Sequence, residues 1–348
     1  MSMIINETPV RTSKNFHINN FNLQEAMPKR IGNFDKVQIN LESKNDLVSN
    51  DVKTCNVTYG LGEEVTNQLF EKANQKIKLE LNSKTKNANI DYLLEGNQLV
   101  DIIDIHANEG SHNTVTIKYN STDDKCYHNG MINAVCEKDS NLTVIIVNLI
   151  NDESLNLMTF ENEVKENANL KYVIVDFGGK NSVSNYYSNI TEKEGVNDLN
   201  TIYLGHKDQK FDMNYIVECR GEKSNVNIEA EGALTDESKK SFKGTIDFKK
   251  GCKKSKGDEN EFCMLLSKDA KSLALPILLC SEEDVEGNHS SSAGKVGEKE
   301  LFYIMSRGFT RTEAMRMLVK AKFNKVLTKI KNEELKEQIS NEIETRLN

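Results

Sequence analysis

From about residue 77 to residue 280 the chain repeats one grammar: a short run of β-branched and apolar residues, then a cluster of Asn, Asp, Gly, Ser and Lys, with Pro276 as its single proline. Short alternating runs bounded by turn formers specify strands. Strands are predicted over 77–81, 98–106, 114–119, 141–147, 170–177, 200–204, 213–219, 226–231, 244–248, 262–266 and 273–280, with no long crossover helix between them. Asn141-Leu142 and Asn169-Leu170 open two of these strands 28 residues apart, and Asn197, 28 further on, opens the next with Leu199. Coils of a β-helix give such spacing, because each coil buries its inward side chains against the next. A two-sheet sandwich gives strands at similar intervals, so periodicity alone leaves both open.

The flanks differ from this middle. Residues 1 to about 40 are polar, with Pro9 and Pro28, and read as an arm with one short helical turn at 23–27. Residues 62–77 carry Val65, Leu69 and Ala73 at spacings of four, with Phe70 beside them, and predict a helix. On the other side, 284–297 reads as a loop and 298–306 as a helix with Leu301, Phe302 and Met305 on one side, stopped at Gly308. Thr310 and Glu313 form a capping box for a helix whose stripe is Met315, Val319, Phe323, Val326 and Ile330. A last helix is capped by Asn332, has Glu333 and Glu334 in its first turn, and carries Leu335, Ile339, Ile343 and Leu347. The expected organisation is an arm and helix over 1–80, a β core over 81–285 and a helical domain over 286–348.

Several function classes are disfavoured. The 348-residue chain has net charge -8 and a pI near 5.5, which gives no electrostatic footprint for nucleic acid. The lysines of 249–256 read as a solvated turn. No apolar run approaches a membrane span and 1–31 lacks a hydrophobic signal core, so the expected location is cytoplasmic. Seven cysteines, at 55, 126, 136, 219, 252, 263 and 280, form an odd set without a Cys-x-x-Cys pair, and most read as small buried hydrophobes. With no His-x-x-x-His pair either, a local zinc site is not expected. His106, His112 and His128 are dispersed and read as ordinary strand and turn residues, and no Gly-x-Ser-x-Gly elbow occurs. The Gly287–Val296 stretch is no phosphate loop: His289 stands where Walker A needs Gly, and Val296 where it needs Ser or Thr. Gly60-Leu-Gly62 is a lone Gly-x-Gly, and the chain is expected to bind no nucleotide.

Four blocks in order carry a resemblance. Ser241-Phe-Lys-Gly244, then Asn260-Glu-Phe-Cys-Met-Leu-Leu-Ser267, then Asp284-Val with His289 and a small-residue run, then Leu301-Phe-Tyr and Ser306-Arg-Gly308 before an acidic helix start are similar to the SufB/SufD family of iron-sulfur cluster assembly scaffolds. The match covers roughly the last third of the chain. The resemblance implies a right-handed parallel β-helix core flanked by helical segments, and so decides between helix and sandwich. It also implies a metal role for His289, since neutral imidazole is a suitable iron ligand. The SufB branch has a functional Cys at the position of Glu261 here, so Cys263, two residues on and on the same strand face, and Cys280, nearer His289, are the candidate thiolates. Ser290 stands where SufB-type chains carry an acidic residue, which points to a SufD-like or undifferentiated SufBD-like chain.

The function so implied is that of a non-enzymatic scaffold subunit in a Suf-type complex. It pairs as a homodimer or with a SufB/SufD paralogue, carries a transient iron-sulfur cluster, and docks a SufC-type ABC ATPase through Leu301, Phe302, Tyr303, Met305, Arg307, Phe309, Met315, Val319 and Phe323. Two rivals stand beside it: a structural interaction module with β-helix fold that has lost cluster chemistry, and a β-helix enzyme acting on polysaccharide with strand-borne carboxylates.

Overall fold

The computed structural model describes residues 2–13, 16–41, 47–49, 52, 56–84 and 86–348. Cys55 lies outside them. Two nine-stranded sheets form the body. Read back from the C-terminal end, sheet I contains Val285–Lys295, Ser255–Leu265, Asn225–Leu234, Val196–Gly205, Asn169–Asp176, Asn141–Leu149, His112–Ser121, Asn87–Leu94 and Val37–Leu41. Sheet II contains Lys271–Cys280, Lys239–Phe248, Lys210–Cys219, Asn181–Ile190, Leu155–Val164, Tyr127–Cys136, Gln98–Ala107, Gln75–Leu81 and Leu47–Ser49. From Gln75 onward consecutive strands alternate between the sheets and neighbours within each sheet are parallel and in register, which is a β-helix with two strands per coil. The sheets face one another as in a sandwich; the connectivity makes the difference.

The corners explain how a chain with so few glycines can coil. Asp139, Asn167, Glu194, Lys223 and Lys254 all have positive φ and occupy the same corner of successive coils, two residues before the sheet I strand in the first four and one before it at Lys254. Their amides donate corner to corner, as in Asn167 N to Lys193 O and Lys223 N to Lys253 O. A left-handed residue there turns the chain into the next strand. The 28-residue repeat holds for Asn141, which pairs with Asn169, but Asn169 pairs with Val196. Asn197 is therefore one residue out of the repeat and buried, accepting from the Tyr186 hydroxyl at 2.7 Å.

The interior is apolar, with an aromatic ladder of Tyr172, Tyr186, Tyr215 and Phe242 whose neighbouring centroids lie 5.2 to 5.9 Å apart. Both outer faces are covered. The outer face of sheet II carries helix α1 (Glu63–Lys72) and the antiparallel pair Met3–Ile5 with Phe21–Leu23. Helix α1 stops short of residue 77 because Gln75 already joins sheet II, and 23–27 is not helical because Leu23 ends a strand. The arm is fixed by Asn6, whose amide donates to Asp212 Oδ1 at 2.7 Å while its carbonyl accepts from Lys243 Nζ at 3.0 Å. Lys243 and Asp212 form a buried ion pair at 2.6 Å.

The outer face of sheet I carries helices α3 (Arg311–Leu327) and α4 (Glu333–Arg346). The capping box of Thr310 and Glu313, the Asn332 cap and the left-handed Gly308 are present. Val319, Phe323, Val326, Ile330, Leu335, Ile339 and Ile343 bury against Ile145, Val173, Val175 and Ile202. Burying a stripe of four or five such side chains stabilises by roughly 6–10 kcal/mol before entropy is charged. The helices therefore lie along the flank of the β-helix, where outward apolar residues of sheet I are waiting, and do not close its C-terminal end.

Candidate functional site: the open end of the β-helix

The segment 284–297, expected as a loop, contains the last strand of sheet I, Val285–Lys295. Its ladder sets Glu259 beside His289, Glu261 beside Ser291 and Cys263 beside Ala293. In-register parallel neighbours project to the same face, so these six residues share the inward side. Beneath the last coil, Glu259, Glu261 and Cys263 are buried, whereas His289 and Ser291 on the last coil are exposed.

The interior here abandons the aromatic ladder for charge. Glu261 accepts from Lys240 Nζ at 2.6 Å, the Tyr203 hydroxyl at 2.8 Å and the Ser291 hydroxyl at 2.9 Å, and Lys240 also donates to the Leu273 carbonyl. Glu259, 1% exposed, has no partner for either carboxylate oxygen. Burial, with the Glu261 charge behind it, pushes its acid up to about 8. Two glycines make the room. A Cβ at Gly232 would fall 1.9 Å from the Tyr203 ring, and one at Gly244 would fall 2.2 Å from Glu259 Oε1.

Each expected metal residue has a distinct setting. His289 is exposed on the final edge strand. Cys263 is fully buried, and burial pushes its thiol up, which disfavours the thiolate a metal needs. Cys280 is exposed at the end of Lys271–Cys280 in the other sheet, its thiol 2.9 Å from the Glu282 carbonyl. Cys263 lies four positions along the strand from the neighbour of His289, about 13 Å. One chain does not bring the three together, and among the described residues no group of three or more His, Cys, Asp or Glu side chains could hold a metal ion. Sequence reasoning missed Glu259, Lys240 and Tyr203. The available signal was Asp258-Glu-Asn-Glu261 inside a strand, where inward carboxylates are unusual, with Gly244 facing the space Glu259 takes and Gly232 the Tyr203 ring.

A second surface lies on α2 (Glu298–Met305) and the start of α3. Phe302 is 73% exposed, and Tyr303, Met305, Phe309 and Met317 are also exposed. Arg307 stacks on the Tyr303 ring at 4.7 Å and donates to its hydroxyl, and Arg311 pairs with Glu298 at 2.9 Å. Leu301, Val319 and Phe323 are buried, Phe323 stacked on Phe177, and Met315 is partly buried, so these four anchor or back the helices while the aromatic face stays outward. Two of the dispersed histidines are structural: His106 bridges Glu80 and Glu137, and buried His128 bridges Asp101 and Asn156.

Against known families, residues 92–322 match the SufBD core domain of SUF system FeS cluster assembly, which takes in all coils from Tyr92 onward, the open end, α2 and most of α3. The chain belongs to the SufBD family. It is 27% identical over 166 residues to the iron-sulfur cluster assembly protein SufD of Bacillus subtilis, an alignment covering 48% of this chain and 38% of the relative. With an iron-sulfur cluster assembly SufBD family protein of Pyrococcus horikoshii it shares 31% over 159 residues, 45% of this chain and 35% of the relative. With one of Staphylococcus saprophyticus it shares 23% over 194 residues, 55% and 41%. The chain thus aligns with well under half the length of these SufBD relatives. The arm and α4 lie outside the SufBD match. Among the described residues no helix is long and apolar enough to cross a membrane.

Proposed function

We propose that this chain is a scaffold subunit, without catalysis of its own, that pairs at the open end of its β-helix with a second scaffold chain and carries an iron-sulfur cluster as transient cargo there. The observation that carries the reading is the pair of terminal strands, Lys271–Cys280 and Val285–Lys295, parallel, long and unpaired on their outer edges among the described residues. Such edges are templates for another chain, and natural proteins rarely leave them bare without a use. Leu273, 43% exposed, and half-buried Leu275 and Leu279 add apolar surface to the edge. His289 and Cys280, both exposed on these two strands, supply the imidazole and thiol that iron-sulfur cargo takes. Few ligands per chain suit a cluster that has to be released.

The exposed aromatic face of Phe302, Tyr303, Met305 and Phe309 is the docking surface assigned to a SufC-type ABC ATPase. The test is anaerobic reconstitution with the ATPase and a scaffold partner. His289→Ala is expected to leave folding, pairing and ATPase binding intact and to lower the iron and sulfide bound. Wild-type cluster yield from that variant defeats the assignment of this end as the cargo site.

A further inference from the structure

We infer that Asn6 and Lys243 become joined by an intramolecular amide bond, Lys243 Nζ to Asn6 Cγ, formed with loss of ammonia and with Asp212 as the general acid and base. The bond is independent of the cargo reading above. The three side chains meet under the arm, on the outer face of sheet II, and each is at most 1% exposed. Lys243 Nζ lies 2.6 Å from Asp212 Oδ1, and Asn6 Nδ2 lies 2.7 Å from the same oxygen. An amine and a carboxamide thus share one acid in a site closed to water.

The surroundings serve the same reaction. The Asn185 amide donates to Asn6 Oδ1 at 3.0 Å, the atom on which negative charge develops when an amine adds to Cγ. Asn6 is also held by its main chain, whose amide donates to Leu61 O at 3.2 Å and whose carbonyl accepts from Lys243 Nζ at 3.0 Å, so the carboxamide stays beside the amine. Burial pushes the Asp212 acid up, against the opposing pull of Lys243. The ion pair is the state from which the bond forms.

Moving one proton from Lys243 Nζ to Asp212 leaves a neutral amine and a neutral acid, the forms that a buried site favours. The Nζ lone pair then adds to Asn6 Cγ, and the charge on Oδ1 is met by the Asn185 amide. Asp212 gives its proton to Nδ2, the Cγ–Nδ2 bond breaks and ammonia leaves. One proton on Nζ returns to Asp212, so the acid is regenerated and no oxidant or cofactor is consumed. The product ties the arm permanently to sheet II and, as cross-links do, also constrains the unfolded chain.

The test is the intact mass of the full-length chain, fully unfolded, followed by tryptic digestion and tandem mass spectrometry. Wild-type chain is expected to weigh one ammonia less than its sequence and to give a branched peptide that joins the segment ending at Arg11 to the one spanning Lys243. Asp212→Asn, which removes the acid, and Asn6→Ala, which keeps the ion pair, are each expected to show the full sequence mass and no branched peptide. Asn6→Asp is expected to restore the link with loss of one water. A wild-type chain at its full sequence mass, or one that has lost ammonia without the branched peptide, as a succinimide would, overturns the inference. The wild-type result decides even where a variant fails to fold.

Discussion

At its N-terminal end the β-helix stops on Val37–Leu41 and Leu47–Ser49, short strands that pair antiparallel with the first coil, while Phe34 plugs the interior with its ring 6.1 Å from that of Tyr92. At its C-terminal end it stops on strands of ten and eleven residues, parallel to those beneath, over an interior of Glu259, Glu261, Lys240 and Cys263. Reversed, short edge strands discourage further pairing; long parallel ones invite it. The flanks repeat the contrast. The arm and α3–α4 cover both outer faces, and the chain has no comparable cover for the last coil among the described residues. Where the chain covers itself, side chains hold the fold; where it does not, they are available to something else.

The comparison is sharpened most by breaking the covered side. Lys243→Met leaves Asp212 buried without its cation and is expected to destabilise by about 3–5 kcal/mol in denaturant unfolding. Phe323→Ala, on the buried side of α3, is expected to lose about 3 kcal/mol by the same measurement. Deleting residues 298–348 is not a clean alternative, since it bares Ile145, Val173, Val175 and Ile202 on sheet I.

A smaller effect is read in pH. Glu161, under the arm, accepts from the Thr58 amide and hydroxyl, yet burial pushes its acid up to about 7. Between the ordinary carboxylate value and 7 the folded chain keeps a proton that the unfolded chain has released, so stability falls as pH rises through that window. The fall is expected to be on the order of 2 kcal/mol, and Glu161→Gln should remove it from the unfolding-versus-pH curve.

The smallest stability effects are expected on the uncovered side. Phe302→Ser with Phe309→Ser should change stability by less than about 0.5 kcal/mol while abolishing copurification with the ATPase. A variant on this side that unfolds the chain, or retained copurification, breaks the comparison.

Much of the β-helix is legible in the string, because strands such as Asn141–Leu149 and Asn169–Asp176 carry β-branched runs whose pattern is local. Four core strands escaped that reading: Asn87–Leu94, Tyr127–Cys136, Leu155–Val164 and Asn181–Ile190. Asn181-Ser-Val-Ser-Asn-Tyr-Tyr-Ser-Asn-Ile190 reads as polar, yet almost all of it is buried, because the arm covers the outer face, where the Asn185 amide donates to Asn6 Oδ1. A polar strand of this kind is buried only by a segment distant in sequence, which its local pattern does not announce.

The sequence by itself determined the β-rich core, the caps of α3 and α4, the stop at Gly308 and the family blocks around Gly244, His289 and Arg307, since each is set by residues within a few positions of one another. Only the tertiary structure decided that Gly287-Asn-His-Ser-Ser-Ser292 is a strand, for its conformation is held by the ladder to Ser255–Leu265 and not by its own propensity. It likewise decided that the C-terminal helices lie along sheet I and leave the end open, and that both carboxylate oxygens of Glu259 are buried without a hydrogen-bond partner. Those facts depend on which residues meet across coils some 30 positions apart, and a local pattern carries no record of that register.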